Sequence, residues 1–243
     1  MSRSDDESCP KGGTPMTLNV LFEDNHLIVC VKPAGVLSQA DGKNLPDMLS
    51  MVKEYLKVKY QKPGNVYCGL VHRLDLNVGG VMVFAKTSKA AARLSAAIRT
   101  RVFSKRYYAV VEGEIPPETR KTLIDWLVKD ETARTAVIAG EGTGKQAVLS
   151  YLSLGVAKTD EGCQTLLDIK LESGRFHQIR VQLAHEGHPL VGDAKYGNAH
   201  FAGGPLGLYA YEISFEHPIG KEPLIFRQNP QADPFTAFPM AMS

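Results

Sequence analysis

The sequence predicts an α+β fold, a mixed and mainly antiparallel sheet with a few flanking helices. Three observations carry that expectation: many short strand-like runs, only two or three helical segments, and no regular βαβ alternation between them. The chain has 243 residues, 44% apolar and 22% charged, which is the profile of a globular protein. At this length, folding buries roughly 70 to 75% of the surface of the unfolded chain, enough to hold a site without disulfides or a structural metal. There is no internal repeat.

Residues 1–15, MSRSDDESCPKGGTP, are polar and rich in Gly, Pro and Ser, and are expected to form a disordered arm ahead of one domain at 16–243. Residues 20–31 condense into the apolar run Leu27-Ile28-Val29-Cys30-Val31 and read as one strand ending at the turn Lys32-Pro33-Ala34-Gly35. Leu45, Met48, Leu49, Val52 and Leu56 recur at helical spacing, which predicts a helix over 45–57. The runs 66–71 and 81–85 read as strands around the loop His72 to Gly80, whose end, Val78-Gly79-Gly80, reads as flexible. With Thr87 or Ser88 as N-cap, the alanine-rich stretch 90–98 is helical. Further strands are expected at 107–111, 124–128, 133–139, 147–154, 164–171 and 208–215, and a helix at 177–185. The tail beyond Phe226, with Pro230, Pro234 and Pro239, reads as loosely packed.

Several function classes find no support. The longest apolar stretches fall far short of the ~20 residues of a spanning helix, and the N-terminus has no signal-like apolar run. Cys9, Cys30, Cys68 and Cys163 show neither CxxC nor metal-ligand spacing, so a reducing cytoplasm is the expected home. Gly140 to Lys145 resembles a P-loop only faintly, and Gln146 stands where the hydroxyl should be. His185 and His188 have no further ligand at metal spacing, and Gly-x-Ser-x-Gly is missing. No exposed apolar helix or heptad stands out, so a monomer is expected.

The net charge of +2 hides an asymmetry. Between residues 61 and 110 stand nine basic residues (Lys62, Arg73, Lys86, Lys89, Arg93, Arg99, Arg101, Lys105, Arg106) and one acid, Asp75, whereas the rest of the chain carries 19 basic and 25 acidic residues. That concentration suits a polyanion, although a solvated helix face reads the same way. Asp75 sits on a loop between apolar strands. A carboxylate among cations stays ionised, which suits a nucleophile or charge stabiliser better than a general acid, while a lone loop Asp is more often a turn former. Ser173 to Arg180 is a second dense cluster, with Arg175 and Arg180 straddling a helix start where guanidinium forks match phosphate or carboxylate. Phe103, Lys105, Arg106, Tyr107 and Tyr108 interleave aromatic and basic side chains as single-stranded nucleic-acid surfaces do, though alternating Tyr and Val in a strand also builds core.

Taken in order, these segments resemble the RluA-type family of RNA pseudouridine synthases from about residue 20 to 226. The resemblance rests on Lys32-Pro33-Ala34-Gly35 (KPxG), His72-Arg73-Leu74-Asp75 (HRLD), Lys105-Arg106-Tyr107-Tyr108-Ala109 (KxYxA) and Gly174 to Arg180 (GRxHQIR), extended by Gly187 to Asp193. It implies the pseudouridine synthase catalytic fold, with the catalytic aspartate at Asp75, the active-site tyrosine at Tyr107 and the basic partner of the aspartate at Arg180. Val78-Gly79-Gly80 departs from the Thr-Ser-Gly frequent in the family, and Leu76 replaces a frequent basic residue. Many relatives carry an N-terminal RNA-binding S4 domain, for which fifteen polar residues are too few, so the resemblance places substrate choice on the catalytic domain.

What the resemblance implies chemically is an isomerase for uridines in structured RNA, ribosomal or transfer, without cofactor or metal and with no obligate protein partner. Substrate contacts are expected from His72, Arg73, Leu74, Arg175, His177, Gln178, Ile179 and Leu183, the last two also plain core by spacing. RNA backbone contacts are expected from Lys86, Lys89, Arg93, Lys105 and Arg106, and Arg73 is placed to fill the gap left by a flipped base. Two other classes share part of this pattern. A non-catalytic RNA-binding module shares the basic surface but leaves the position of Asp75 unexplained. A nucleosidase or glycosidase wants two opposed carboxylates, and Asp193 is the best distant partner for Asp75.

Overall fold

The computed structural model describes residues 17–42, 45–160, 162–197, 204–239 and 241–242. The expected disordered arm, 1–15, lies outside the described residues. The chain begins with a hairpin of β1 (Asn19–Glu23) and β2 (Leu27–Lys32), where one continuous strand was expected over 20–31. The reason is local: Asp24 Oδ1 accepts from the amides of His26 and Leu27 at 2.7 and 2.6 Å, an Asx turn that reverses the chain. Helix α1 (Met48–Lys59) follows, N-capped by Asp47, whose carboxylate accepts from the Ser50 amide. The short β3 (Gly69–Leu70) and β4 (Gly79–Ala85) bracket the loop that carries Asp75. Helix α2 (Ser88–Arg99) starts at the N-cap Thr87.

The remaining strands are β5 (Ser104–Glu112), β6 (Arg120–Asp130), β7 (Thr135–Ala139), β8 (Lys145–Thr159), β9 (Gly162–Leu171), β10 (Leu208–Glu216) and β11 (Pro223–Arg227), with α3 (Gln178–His185) between β9 and β10. Residues 140–144 only turn β7 into β8, with no helix to receive a phosphate. Among the described residues the strands form one sheet in the order β1-β2-β4-β10-β5-β9-β8-β6-β7, with β3 on β4 and β11 on β10. All strand pairs are antiparallel except β4 with β10. The expected mixed, mainly antiparallel α+β architecture is what forms.

Alternation along the strands gives the sheet two distinct faces. Met82 and Phe84 of β4, Tyr107 and Ala109 of β5, and Leu208 and Ala210 of β10 join one core with α1 and with Ile179 and Leu183 of α3. Val81, Val83 and Ala85 point the other way and pack on Ala90 and Leu94 of α2. Tyr108, Val110 and Tyr211 extend that back face and are covered by Phe235 and Phe238. The tail is therefore not loosely packed: β11 pairs with β10, and Phe235 and Phe238 are buried.

Gly79 and Gly80 are equally far from a flexible hinge. Both are buried where β4 runs parallel to β10. A Cβ on Gly80 would stand 2.2 Å from the Ala210 carbonyl oxygen, and its φ of +132° is a conformation that side-chain-bearing residues rarely adopt. A Cβ on Gly79 would meet the Tyr209 ring at 2.9 Å. The pair exists because two backbones approach closely, and this fixes the end of the Asp75 loop.

Candidate active site

The loop between β3 and β4 is pinned on both sides of one carboxylate. Ser38 Oγ accepts from the Leu74 amide at 3.0 Å and donates to the Leu74 carbonyl at 2.7 Å. The Leu76 carbonyl accepts from the Lys32 ammonium at 3.0 Å and from the Gly35 amide at 2.9 Å. The Val78 amide then closes a turn on the Asp75 carbonyl at 3.1 Å. With Leu74 and Val78 sunk in the core, the loop presents Asp75, whose side chain is 33% exposed.

Lys32 is fully buried and also donates to the Pro33 carbonyl at 3.0 Å. Burial holds its ammonium down to about 8, against the upward pull of Asp75. The sequence shows Lys32 only as part of a turn; its role as a brace for a loop 44 residues away is visible only in the fold.

Helix α3 brings the second half of the site. Arg180 directs Nε and Nη2 to Asp193 Oδ2 and Oδ1, both at 2.7 Å, in the fork-to-fork geometry of a strong pair. The Asp193 side chain is fully buried and also accepts from the amides of Lys195 and Tyr196 at 2.9 and 3.2 Å. Burial raises the Asp193 carboxyl, but the Arg180 bonds outweigh it and hold it below the usual carboxylate range. What remains, Nη1, lies 3.5 Å from Asp75 Oδ2. The partnership expected between Arg180 and Asp75 is present, then, but the bidentate partner of Arg180 is Asp193.

His177 stands beside that contact, with Nε2 at 3.6 Å from Asp75 Oδ2 and Nδ1 at 2.8 Å from the Tyr196 hydroxyl. Its ring stacks on Phe176 at 3.8 Å, and burial lowers it to about 4, so it is neutral at neutral pH. Tyr107 enters from β5 on the same sheet face and is buried; burial first, and the charge of Asp75 second, push its phenol upward and keep it protonated. Asp75, Tyr107, Arg180 and His177 thus converge from three segments of the chain.

The other expected contacts are placed as follows. His72 is buried on the α2 face, where Nε2 accepts from the Val83 amide at 3.1 Å and the ring lies 5.7 Å from that of Phe103. Gln178 braces its own loop, accepting from Ser173 Oγ and the Arg175 amide and donating to the Val148 carbonyl. Ile179 and Leu183 are core, Arg73 is exposed, and the exposed Arg175 donates to the Gln146 carbonyl at 3.0 Å.

The five expected RNA-backbone residues do not form one basic surface around Asp75. Lys86 is ion-paired with Glu23 at 2.6 Å, Arg106 is ion-paired with Asp168, and Arg93 donates to the Pro218 carbonyl at 2.6 Å. Lys105 is half-buried, with its ammonium lowered by burial, and Lys89 projects from α2 on the opposite sheet face. The residues that pattern reading missed are Lys32, Ser38, Phe176 and Tyr196. Lys32 carried a local signal as the first residue of Lys32-Pro33-Ala34-Gly35, and Phe176 as an aromatic inside the basic cluster at 173–180.

Residues 26–185 match the family described as RNA pseudouridylate synthase. The chain is 32% identical over 237 residues to the ribosomal large subunit pseudouridine synthase D of Zymomonas mobilis, covering 93% of this chain and 73% of that protein. It is 35% identical over 206 residues to the dual-specificity RNA pseudouridine synthase RluA of Vibrio vulnificus, covering 82% and 78%. Among solved structures, human RNA pseudouridylate synthase domain containing 1 shares the fold with a TM-score of 0.70 at 21% identity, over 91% of this chain and 86% of that one. The chain belongs to the RNA pseudouridine synthases, isomerases that convert uridine to pseudouridine within RNA.

Proposed function

We propose that this chain acts on uridines of structured ribosomal or transfer RNA, the substrates in the names of its relatives, as a monomer in a reducing cytoplasm where Cys30, Cys68 and Cys163 stay free thiols. A target uridine leaves its stack at a cost of a few kcal/mol and enters between Asp75, Tyr107 and Arg180. The N1–C1′ bond breaks, the base turns, and C5 bonds to C1′; a proton leaves C5 and one is taken up at N1, with no net redox change.

In this reading Asp75 supplies the carboxylate at the sugar, as nucleophile at C1′ or as proton acceptor, while Arg180 and His177 hold its Oδ2. Tyr107 offers the uracil a flat face and a protonated hydroxyl near C5. Arg73, exposed next to Asp75, fills the gap in the RNA stack. The observation that carries the reading is a partly exposed carboxylate, 33% accessible, with Arg180 Nη1 and His177 Nε2 both beside its Oδ2.

The test is tritium release to water from RNA containing uridine tritiated at C5, with no metal or cofactor added, for wild type and Asp75→Asn. Release by wild type alone is expected. Equal release by both would overturn the role of Asp75, and RNA binding without release by either would point to a binding module.

A further inference from the structure

Tyr196 touches three parts of the site at once. Its hydroxyl accepts from the Ala136 amide on β7 at 2.6 Å and lies 2.8 Å from His177 Nδ1. Its ring meets the His177 ring edge-on at 5.6 Å and lies 5.2 Å from the Arg180 guanidinium carbon. Its own amide is held by Asp193, the carboxylate that clamps Arg180.

Proton accounting along this chain gives one consistent answer. The Ala136 amide can only donate, so it occupies acceptor capacity on the phenol oxygen. If His177 carried its proton on Nδ1, that oxygen would receive two donors and its own proton would face none among these partners. The bare Nε2 lone pair would then confront the Asp75 carboxylate at 3.6 Å. With the phenol donating to Nδ1, both conflicts vanish: Nε2 carries the hydrogen and points it at Asp75 Oδ2. A doubly protonated ring would satisfy Asp75 too, but Arg180 and Lys195 face the same ring and burial disfavours its charge, which outweighs the pull of Asp75 and Asp193.

Building on the isomerase reading above, we propose that Tyr196 is a positioning residue: anchored by the Ala136 amide, it fixes His177 as the Nε2–H tautomer, so that a neutral donor beside Arg180 orients Asp75. His177 is held for this in a left-handed backbone conformation, φ 51°, at the start of α3, an arrangement uncommon for a residue with a side chain. The two donors stand at 3.5 and 3.6 Å from Oδ2.

The tautomer can be read directly. Protein labelled with 15N-histidine, with His177 assigned by loss of its signals in His177→Asn, is expected to show Nε2–H at neutral pH in wild type and a shift toward Nδ1–H in Tyr196→Phe. That variant keeps the ring against Arg180 and loses only the hydroxyl. Its kcat for tritium release is expected to fall on the order of 10- to 100-fold with KM nearly unchanged, as misplacement of a reacting group does.

Nδ1–H in wild type would overturn the proposal, as would wild-type kcat in a Tyr196→Phe protein whose tautomer has shifted. The wild-type measurement needs no folded Tyr196→Phe protein. Nε2–H in a wild type that releases no tritium would support the tautomer and overturn the isomerase reading instead.

Discussion

Asp168 and Asp75 each stand beside an arginine on opposite faces of one sheet, and the two are held differently. On the back face, Arg106 grips Asp168 through Nε and Nη2, Tyr211 donates to the same carboxylate at 3.1 Å, and the guanidinium lies 6.0 Å from the Tyr211 ring centre. Asp168 is buried and both its oxygens are occupied. On the front face, Asp75 is one third exposed and its donors share a single oxygen, because the bidentate grip of Arg180 is already spent on Asp193. A carboxylate saturated by donors is scaffold. The fold gives Arg180 a second acid to hold bidentately, so that the arginine is fixed in place while Asp75 receives only its remaining nitrogen.

The comparison breaks most sharply under isosteric exchange. Asp75→Asn should drop tritium release below detection while leaving the urea midpoint within error of wild type. Asp168→Asn should do the reverse, costing roughly 1–3 kcal/mol through a weakened buried network and leaving activity per folded molecule intact. Comparable loss of activity in both would mean that the back-face pair also shapes the site.

Next in size is Arg180→Ala, which removes the partner of a fully buried carboxylate. The Asp193 charge would be left uncompensated, at a cost of about 3–5 kcal/mol, together with a loss of activity by orders of magnitude. If stability held and only activity fell, the Asp193 clamp would matter less than its geometry says. Denaturant melts and tritium release on the same preparation separate the two effects.

How much of this was legible in the sequence depends on how far apart the partners lie. Asp75, Tyr107 and Arg180 stand in compact motifs whose residue types already suggest chemistry, and the structure brings them together. The Asx turn at Asp24 was also readable, in Glu23-Asp24-Asn25, but the apolar run beyond it dominated the strand assignment. Ser38, Lys32 and Tyr196 reach partners 36, 44 and 60 residues away, so no local pattern reveals these contacts, although Lys32 itself stands in a readable motif. The charge count along residues 61–110 does not show which of its cations are paired, for the same reason. Glu23 comes from β1 to neutralise Lys86, and Asp168 is brought to Arg106 by the pairing of β5 with β9. Charge along a segment is a property of sequence, whereas a basic surface is a property of the folded sheet.

The two histidines flanking Asp75 in the site motifs sharpen the contrast through pH. Burial lowers His72, on the back face, to about 3 and His177, at the site, to about 4. Between those values and the unfolded value of 6.5, the unfolded chain binds protons that the folded one refuses, so stability falls as pH falls below 6.5. Going from pH 7 to pH 5 should withdraw at most about 2 kcal/mol per histidine. His72→Gln, which keeps an acceptor for the Val83 amide, should remove its share and leave kcat unchanged. Urea midpoints at the two pH values measure it, and an unaltered pH dependence in the variant would show that His72 is not buried as a neutral base.

The smallest effect tests which face meets RNA. Each phosphate contact adds close to one unit to the slope of log affinity against log salt, by release of condensed counterions. Arg73 is exposed on the Asp75 loop, whereas Lys89 and Arg99 project from α2, whose apolar stripe covers the back of the sheet. Arg73→Ala should therefore reduce the slope by about one. Lys89→Ala combined with Arg99→Ala should leave it unchanged, because an RNA seated over Asp75 and Tyr107 lies across the sheet from α2. A reduced slope in the double variant and not in Arg73→Ala would place the RNA path around the α2 edge, and the open front-face carboxylate would then be reached by a strand wrapping the sheet rather than lying on one face of it.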